Sequence, residues 1–253
     1  MPRYEPAGDA FQQASFSVRV SPTPEERGEP FPSYLQQPDP NLLQVPLPDP
    51  ALFSPPENDF LQLAVNRRSL RRYDTEASLT LGEFGYLLHL TQGLRDYSQT
   101  QKLTRRYVPS AGSRHPFETY LAVQRVEGLE PGIYHYLPEQ HALELWKPGV
   151  EALEAAHAST YNQKQVLNSA VTFCWAAEVY RTSWRYSMRA YRYIYLDAGH
   201  VCQNLYLASE SIDYGVCAIA AFDDELANSV FELDGKERFM VYMASVGKKL
   251  PKD

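Results

Sequence analysis

Hydrophobic and polar positions divide the chain into two unequal parts. The first sixty residues hold thirteen of the nineteen prolines, which interrupt helix and sheet ladders alike. Residues 1–57 are therefore expected to form a proline-rich extended arm with few hydrogen-bonded elements. "FPSYLQQPDPNLLQVPLPDPALF" nevertheless keeps enough apolar side chains to lie along a folded body. From 58 to 253 the pattern is that of one folded domain. "DFLQLAVNRR" sets Phe60, Leu61, Ala64 and Val65 on one helical face, with Asn58 or Asp59 as N-cap. Thr80 to Glu83 has capping-box spacing and opens a helix that carries Leu81, Phe84, Leu87 and Leu88 and stops near Gly93.

"FETYLAVQRV" then reads as a strand, and "GIYHYLPEQHALELW" as a hairpin turning at Pro138 to Gln140. "EALEAAHAST" is a short helix and "AVTFCWAAEV" a buried strand. "RAYRYIYLDAGHVCQNLYLASESI" is a long central helix, apolar or aromatic around most of its circumference through Tyr191, Ile194, Tyr195, Ala198, Val201, Leu205 and Ala208. A surface helix would show one polar face, so a second chain is the expected cover. "VCAIAAF" is a strand or extended active-site segment, "DDELANSVF" a helix capped by Asp223, and "RFMVYMASVG" a last strand. Helices and strands mix without a strict βαβ rhythm, so the fold class is α+β.

Charge sharpens this division. The first sixty residues carry nine acidic and three basic side chains, hence −6 of the net −7, and the rest is nearly neutral. An acidic chain without a broad basic surface argues against nucleic acid as a partner. The longest wholly apolar run, Val216 to Phe222, is far too short to span a bilayer, and the start lacks a targeting pattern. Cys174, Cys202 and Cys217 stand in apolar contexts at no metal-ligand spacing, which suits buried free thiols in a reducing compartment, the cytoplasm. His115 and His200 pair with no cysteine or carboxylate at metal spacing either, so no metal site is expected.

Against that background one stretch stands out. "NRRSLRRY" packs Arg67, Arg68, Arg71 and Arg72 into six positions, and Lys102, Arg105 and Arg106 form a second basic cluster before Tyr107. A solvated helix end would need no ligand. In an extended segment, however, Arg67, Ser69 and Arg71 would face one side, and guanidinium forks beside a hydroxyl suit a phosphorylated ligand. Neither a dinucleotide-binding glycine pattern nor a P-loop occurs. The loop "VPSAGSRHPFETY" combines Pro109, Gly112 and Pro116 with the hydroxyls of Ser110 and Ser113, which can bring main-chain groups close to a flat polar ligand. Taken alone it is also an ordinary turn before a strand.

Taken in order, "RRSLRRY", "PSAGSRHPFETYLAV", "GIYHYLPEQHALE", "RYIYLDAGHVCQNLYLASE", "AAFDD" and "YMASVGK" resemble the nitroreductase-like flavoproteins, within them the SagB-type dehydrogenase branch that includes azoline oxidases. The resemblance runs from Tyr34 to Lys248. It implies a central antiparallel or mixed sheet flanked by helices, an intertwined homodimer, and FMN at each of two interface sites. By the same resemblance, Arg67, Arg68, Ser69 and Arg71 grip phosphate, ribityl and the pyrimidine edge. Pro109, Ser110, Ala111 and Ser113 match the loop that reaches the flavin from the neighbouring subunit. Ala220 and Ala221 fall where relatives, often with glycine, present a backbone N–H to flavin N5. Lys248 follows the terminal strand, where relatives sometimes place a phosphate-binding base.

One departure from the pattern concerns chemistry. Azoline oxidases carry a Lys-Tyr pair before the long helix, and here the corresponding residues are Arg185 and Tyr186. Arginine stays protonated and is a poor general base, while a cation beside Tyr186 would favour its phenolate. Tyr186 could equally be a tyrosine packed at a helix start. The resemblance thus implies an oxidoreductase that passes a hydride between a small or peptide-derived substrate and flavin N5. Its rivals are an NAD(P)H-fed nitro or quinone reductase and a weakly catalytic binding partner in a peptide-modifying complex.

Overall fold

The computed structural model describes residues 6–16, 22–98, 100 and 103–251; Lys102 and the first five residues of the arm lie outside them. Seven strands form one sheet: β1 (Gln44–Pro46), β4 (Phe117–Val123), β5 (Gly132–Leu137), β6 (Ala142–Pro148), β7 (Val171–Glu178), β8 (Tyr214–Ile219) and β9 (Arg238–Lys248). Their order is β1-β6-β5-β4-β7-β9-β8, and every neighbouring pair is antiparallel. β2 (Leu94–Ser98) and β3 (Leu103–Arg106) make a separate hairpin, which the sequence pattern does not announce. The fold is α+β.

Eight α-helices among the described residues complete it: α1 (Pro6–Ala14), α2 (Phe60–Asn66), α3 (Leu81–Gln92), α4 (Val150–Ser159), α5 (Lys164–Leu167), α6 (Val179–Tyr186), α7 (Ala190–Ser211) and α8 (Asp224–Val230). Alternate side chains of β4 point to opposite faces and all are buried, so each face needs its own cover. Phe117, Leu121 and Val123 join a core with Phe84, Leu87, Leu88, Ile194, Ala198 and Leu205, beneath α3 and α7. Tyr120 and Ala122 join a second core with Leu153, Ala156, Ala227 and Phe231, beneath α4 and α8. The Thr80–Glu83 capping box forms as its spacing predicts, and Asp59 and Asp223 cap α2 and α8.

One helix reading requires correction. Ile194, Ala198, Val201, Leu205 and Ala208 of α7 are buried in the chain's own core, so the outward line is Tyr195, Leu196, Gly199, His200 and Gln203. The apolar face of α2 lies outward, with Phe60 70%, Leu61 65% and Val65 57% exposed.

The arm is held more firmly than its prolines suggest. His135 is wholly buried between Glu118 (2.9 Å) and Glu144 (2.7 Å), and Arg181 bonds the other Glu118 oxygen. The amides of Gln36 and Asp39 donate to Glu118 (3.0 Å) and Glu144 (2.9 Å), so the arm completes a buried charge network. β1 adds an edge strand beside β6.

Candidate active site

The arginine stretch leaves α2 and crosses the end of the sheet as an extended segment. Leu70 N–H donates to the Val216 carbonyl (2.9 Å), and Asp74 N–H to that of Lys248 (3.0 Å). Glycine permits the crossing: a Cβ at Gly215 would lie 2.5 Å from Leu70, and one at Gly247 2.4 Å from the Tyr73 ring. Arg67 and Ser69 meet the same α7 side chain. The Arg67 guanidinium carbon sits 5.3 Å from the Tyr206 ring centre, and Ser69 Oγ is 2.9 Å from the Tyr206 hydroxyl. That hydroxyl also accepts from Ala218 N–H at 3.0 Å. Arg68 turns back onto the Val65 and Arg67 carbonyls. Among the described residues Arg67, Arg71 and Arg72 have no carboxylate partner.

β8 links this segment to the remaining predicted positions. Ala220 and Ala221 are exposed just beyond its last ladder pair, Ile219–Met243, with the Ala221 carbonyl bonded by Gln163 at 2.7 Å. Lys248 pairs with Tyr214 at the opposite end of β8. Six residues of strand separate the two ends, roughly 20 Å, a span for an elongated ligand. The Lys248 ammonium lies 4.7 Å above the Tyr214 ring and 3.4 Å from Asp213, so it is partly engaged already.

The serine loop is built on a buried carboxylate that sequence reasoning missed. Asp197 of α7 accepts from the Ser110 hydroxyl and, at 3.3 Å, from Ala111 N–H, while His115 N–H donates to Ser110 Oγ at 2.9 Å. Burial pushes the Asp197 carboxyl above its ordinary range, even though these donors oppose the shift. The carboxylate of Asp197, set between Leu196 and Ala198 in the helix, was the available signal. Gly112, Ser113 and His115 all take positive φ (56°, 53° and 45°), which turns the loop sharply around Pro109 and Ala111.

Tyr186 closes over this loop. A Cβ at Gly112 would lie 2.4 Å from its hydroxyl, and that hydroxyl has no hydrogen-bond partner among the described residues. Arg185 Nε and Nη2 grip Glu25 of the arm at 2.6 and 2.8 Å, while its Nη1 donates to the Gly112 carbonyl of the loop at 3.4 Å. A lowered Tyr186 pKa was the expectation from the adjacent cation, with the phenol free to act as acid or base; the shift runs the other way. Burial dominates and raises the Tyr186 pKa above its ordinary value, and the opposing Arg185 charge is shared with Glu25. Tyr186 is therefore a neutral phenol near pH 7.

Within one chain the two halves do not meet. Asp197 holds the serine loop and Tyr206 holds the arginine segment, nine positions apart on α7. That is about 13 Å along the axis and about half a turn around it. His200 is half exposed on the outward line, and its ring lies 3.9 Å from Asp197. Among the described residues no group of three or more His, Cys, Asp or Glu converges to hold a metal.

The nitroreductase family model matches residues 64–248. A Methanocaldococcus jannaschii protein named as a nitroreductase, MJ1384, is 32% identical over 186 residues, covering 74% of this chain and 89% of its own. The trifolitoxin-processing protein TfxB of Rhizobium leguminosarum bv. trifolii is 30% identical over 135 residues, 51% of this chain but only 36% of TfxB. The solved Escherichia coli microcin synthetase McbBCD complex, with truncated pro-MccB17 bound, contains a chain of the same fold (TM-score 0.60, 19% identity, 97% of this chain and 92% of that one). This chain therefore belongs to the nitroreductase family of oxidoreductases.

Proposed function

We propose that the chain is an FMN-dependent oxidoreductase of the SagB, azoline-dehydrogenase type, acting as a homodimer on a small or peptide-derived substrate. The observation that carries this reading is the set Arg67, Arg68, Ser69 and Arg71, gathered beside β8 with no carboxylate among the described residues to neutralise Arg67 or Arg71. Such a set fits one terminal phosphate with the polar groups next to it. Lys248 would add charge at one end of β8, and the amides near Ala220 and Ala221 would meet the ring at the other. Pro109, Ser110, Ala111 and Ser113 would come from the second chain, because in one chain they lie across α7 from the arginines. When bound, FMN supplies reversible two-electron chemistry that accepts or returns a hydride.

The chain's own residues then have separable tasks. Asp197 fixes the serine loop, the arginines orient the cofactor by its phosphate, and Tyr186 holds a proton at its hydroxyl for the substrate. A neutral phenol donates that proton or a hydrogen bond to developing negative charge near pH 7. Arg185, bound to Glu25, positions the arm over this corner and does not carry the proton.

That commitment of Arg185 favours a second reading, an NAD(P)H-dependent nitro or quinone reductase, because such chemistry needs no lysine base. Likeness to TfxB supports the peptide-derived substrate class. Among the described residues no helix is long and apolar enough to cross a membrane, and the three cysteines are buried free thiols, which supports a cytoplasmic setting. Anaerobic spectra of the purified protein with and without NADPH test the reading. Flavin that resists NADPH supports the dehydrogenase, bleaching supports the reductase, and absence of flavin after reconstitution defeats both.

A further inference from the structure

Glu25 of the arm reaches the Tyr186 corner from a turn built to hold it. The Thr23 amide donates to the Glu26 carboxylate at 2.7 Å, and the Glu26 amide to the Thr23 hydroxyl at 3.2 Å. Gly28 ends the turn at φ +77°, its amide on the Glu25 carbonyl at 3.0 Å. Glu25 is thereby fixed beside the last turn of α6. Its amide donates to the Trp184 carbonyl at 2.8 Å, one of the last four carbonyls of α6, which the helix itself leaves open. Its carboxylate takes two prongs of the Arg185 guanidinium. The two side chains are only 29% and 25% exposed, so solvent screens the pair in part.

The third prong holds the loop under the phenol. The Gly112 carbonyl accepts from Arg185 Nη1 at 3.4 Å and from Arg114 Nε at 3.1 Å, and Gly112 is the residue packed against the Tyr186 hydroxyl. Two guanidiniums thus converge on one turn, and Glu25 is a carboxylate that faces both. Without it, two like charges would repel each other beside the hydroxyl. We propose that Glu25 is a positioning residue, which fixes the Arg185 guanidinium against the Gly112 turn and cancels its charge, so that the arm completes the corner in which the Tyr186 hydroxyl works. This rests on the reading above in giving that hydroxyl a proton to hold. The groups facing it are in balance. Burial raises the Tyr186 pKa most; Arg185 and Arg114 pull it down, while Tyr193 of α7 and Glu25 push it up. Removing the Glu25 charge tips the balance toward phenolate. The rest of the arm is anchored independently, by Arg181 Nε on the Ser33 carbonyl (3.0 Å) and by the Gln36 and Asp39 amides on Glu118 and Glu144.

An NMR pH titration of the purified protein, isotopically labelled at tyrosine Cζ, reads the phenol without any turnover. The Tyr186 resonance is the one that Tyr186→Phe removes. Glu25→Gln should move its titration to lower pH. Glu25→Asp keeps the charge and should hold the titration near that of the wild type. Glu29→Gln loses the bond from Tyr180 on the same helix and should leave it unchanged. In flavin-loaded protein, Glu25→Gln should slow single-turnover flavin reduction about 10-fold at pH 7, with flavin content unchanged. The alkaline limb of the rate profile should move to lower pH with the phenol. An unmoved Tyr186 titration in Glu25→Gln overturns the proposal, because a role confined to attaching the arm would change stability alone. An equal shift in Glu29→Gln or Glu25→Asp, or wild-type flavin reduction in Glu25→Gln, overturns it as well. A Tyr186 titration that moves only in Glu25→Gln, in a protein that takes up no flavin, would keep the clamp and sink the flavin reading.

Discussion

Substituting Gly112 by alanine strains the contact between the serine loop and the Tyr186 hydroxyl in two ways at once. Gly112 has φ +56°, where a side chain adds about 1–2 kcal/mol of backbone strain. The new Cβ would also stand 2.4 Å from the hydroxyl, so the phenol must withdraw by about 1 Å to reach ordinary contact. The backbone strain alone should lower Tm by about 2–8 °C in a chain of this size. The displacement should slow turnover by ~10²-fold, because a catalytic group misplaced by 1 Å can lose that much. Calorimetry reads the first effect and single-turnover flavin reduction the second, with FMN content as control. Tyr186→Phe should by itself slow reduction at least ~10-fold. Both substitutions act through one hydroxyl, so the double variant should lose no more than the worse single variant. Losses that multiply in the double variant, or Gly112→Ala kinetics equal to wild type, would refute the placement of the proton at Tyr186.

Arg67→Ala should weaken FMN binding by about one to two orders of magnitude, the worth of a charge-assisted bond, with the apoprotein fold intact by circular dichroism. Leu196→Glu places a charge on the outward line of α7 and should shift sedimentation from dimer to monomer, with flavin lost in parallel. Glu118→Gln breaks a buried charge network and should cost roughly 3–5 kcal/mol at pH 7 in urea unfolding. Its pH dependence follows from the shifts: Arg181 and His135 outweigh burial and hold the Glu118 carboxyl below its ordinary range. Glu118 thus adds stability above the ordinary carboxylate pKa and loses it as pH falls, so the gap to the variant should close in acid. His135, raised by both carboxylates, adds stability that fades only as pH climbs past its folded pKa.

Much of the domain was legible because its signals are local. The Thr80–Glu83 box, the proline-turned hairpin and the 22-residue helix α7 each depend on residues close in sequence. The β2–β3 hairpin was not legible, since "LRDYS" and "LTRR" are polar and pair across a segment with no turn signature. The arm's attachment was hidden for a different reason. Glu118, His135 and Glu144 lie on three strands and meet only once the sheet forms. The site divides along the same line. Ser69 and Ser110 could be picked out, but their anchors, Tyr206 and Asp197, are two among several polar groups of α7, and their meaning depends on what packs against them. The sign of the Tyr186 shift failed because burial of the phenol, which outweighs the Arg185 charge, cannot be read from adjacency in sequence.

Native mass spectrometry of the reconstituted protein tests the two-chain flavin site most directly, because one spectrum reads chain number and cofactor together. The prediction is a species of two 28.8 kDa chains carrying two FMN, with no flavin retained on any monomer. A folded monomer that holds FMN by itself, or a dimer that takes up none, would contradict it.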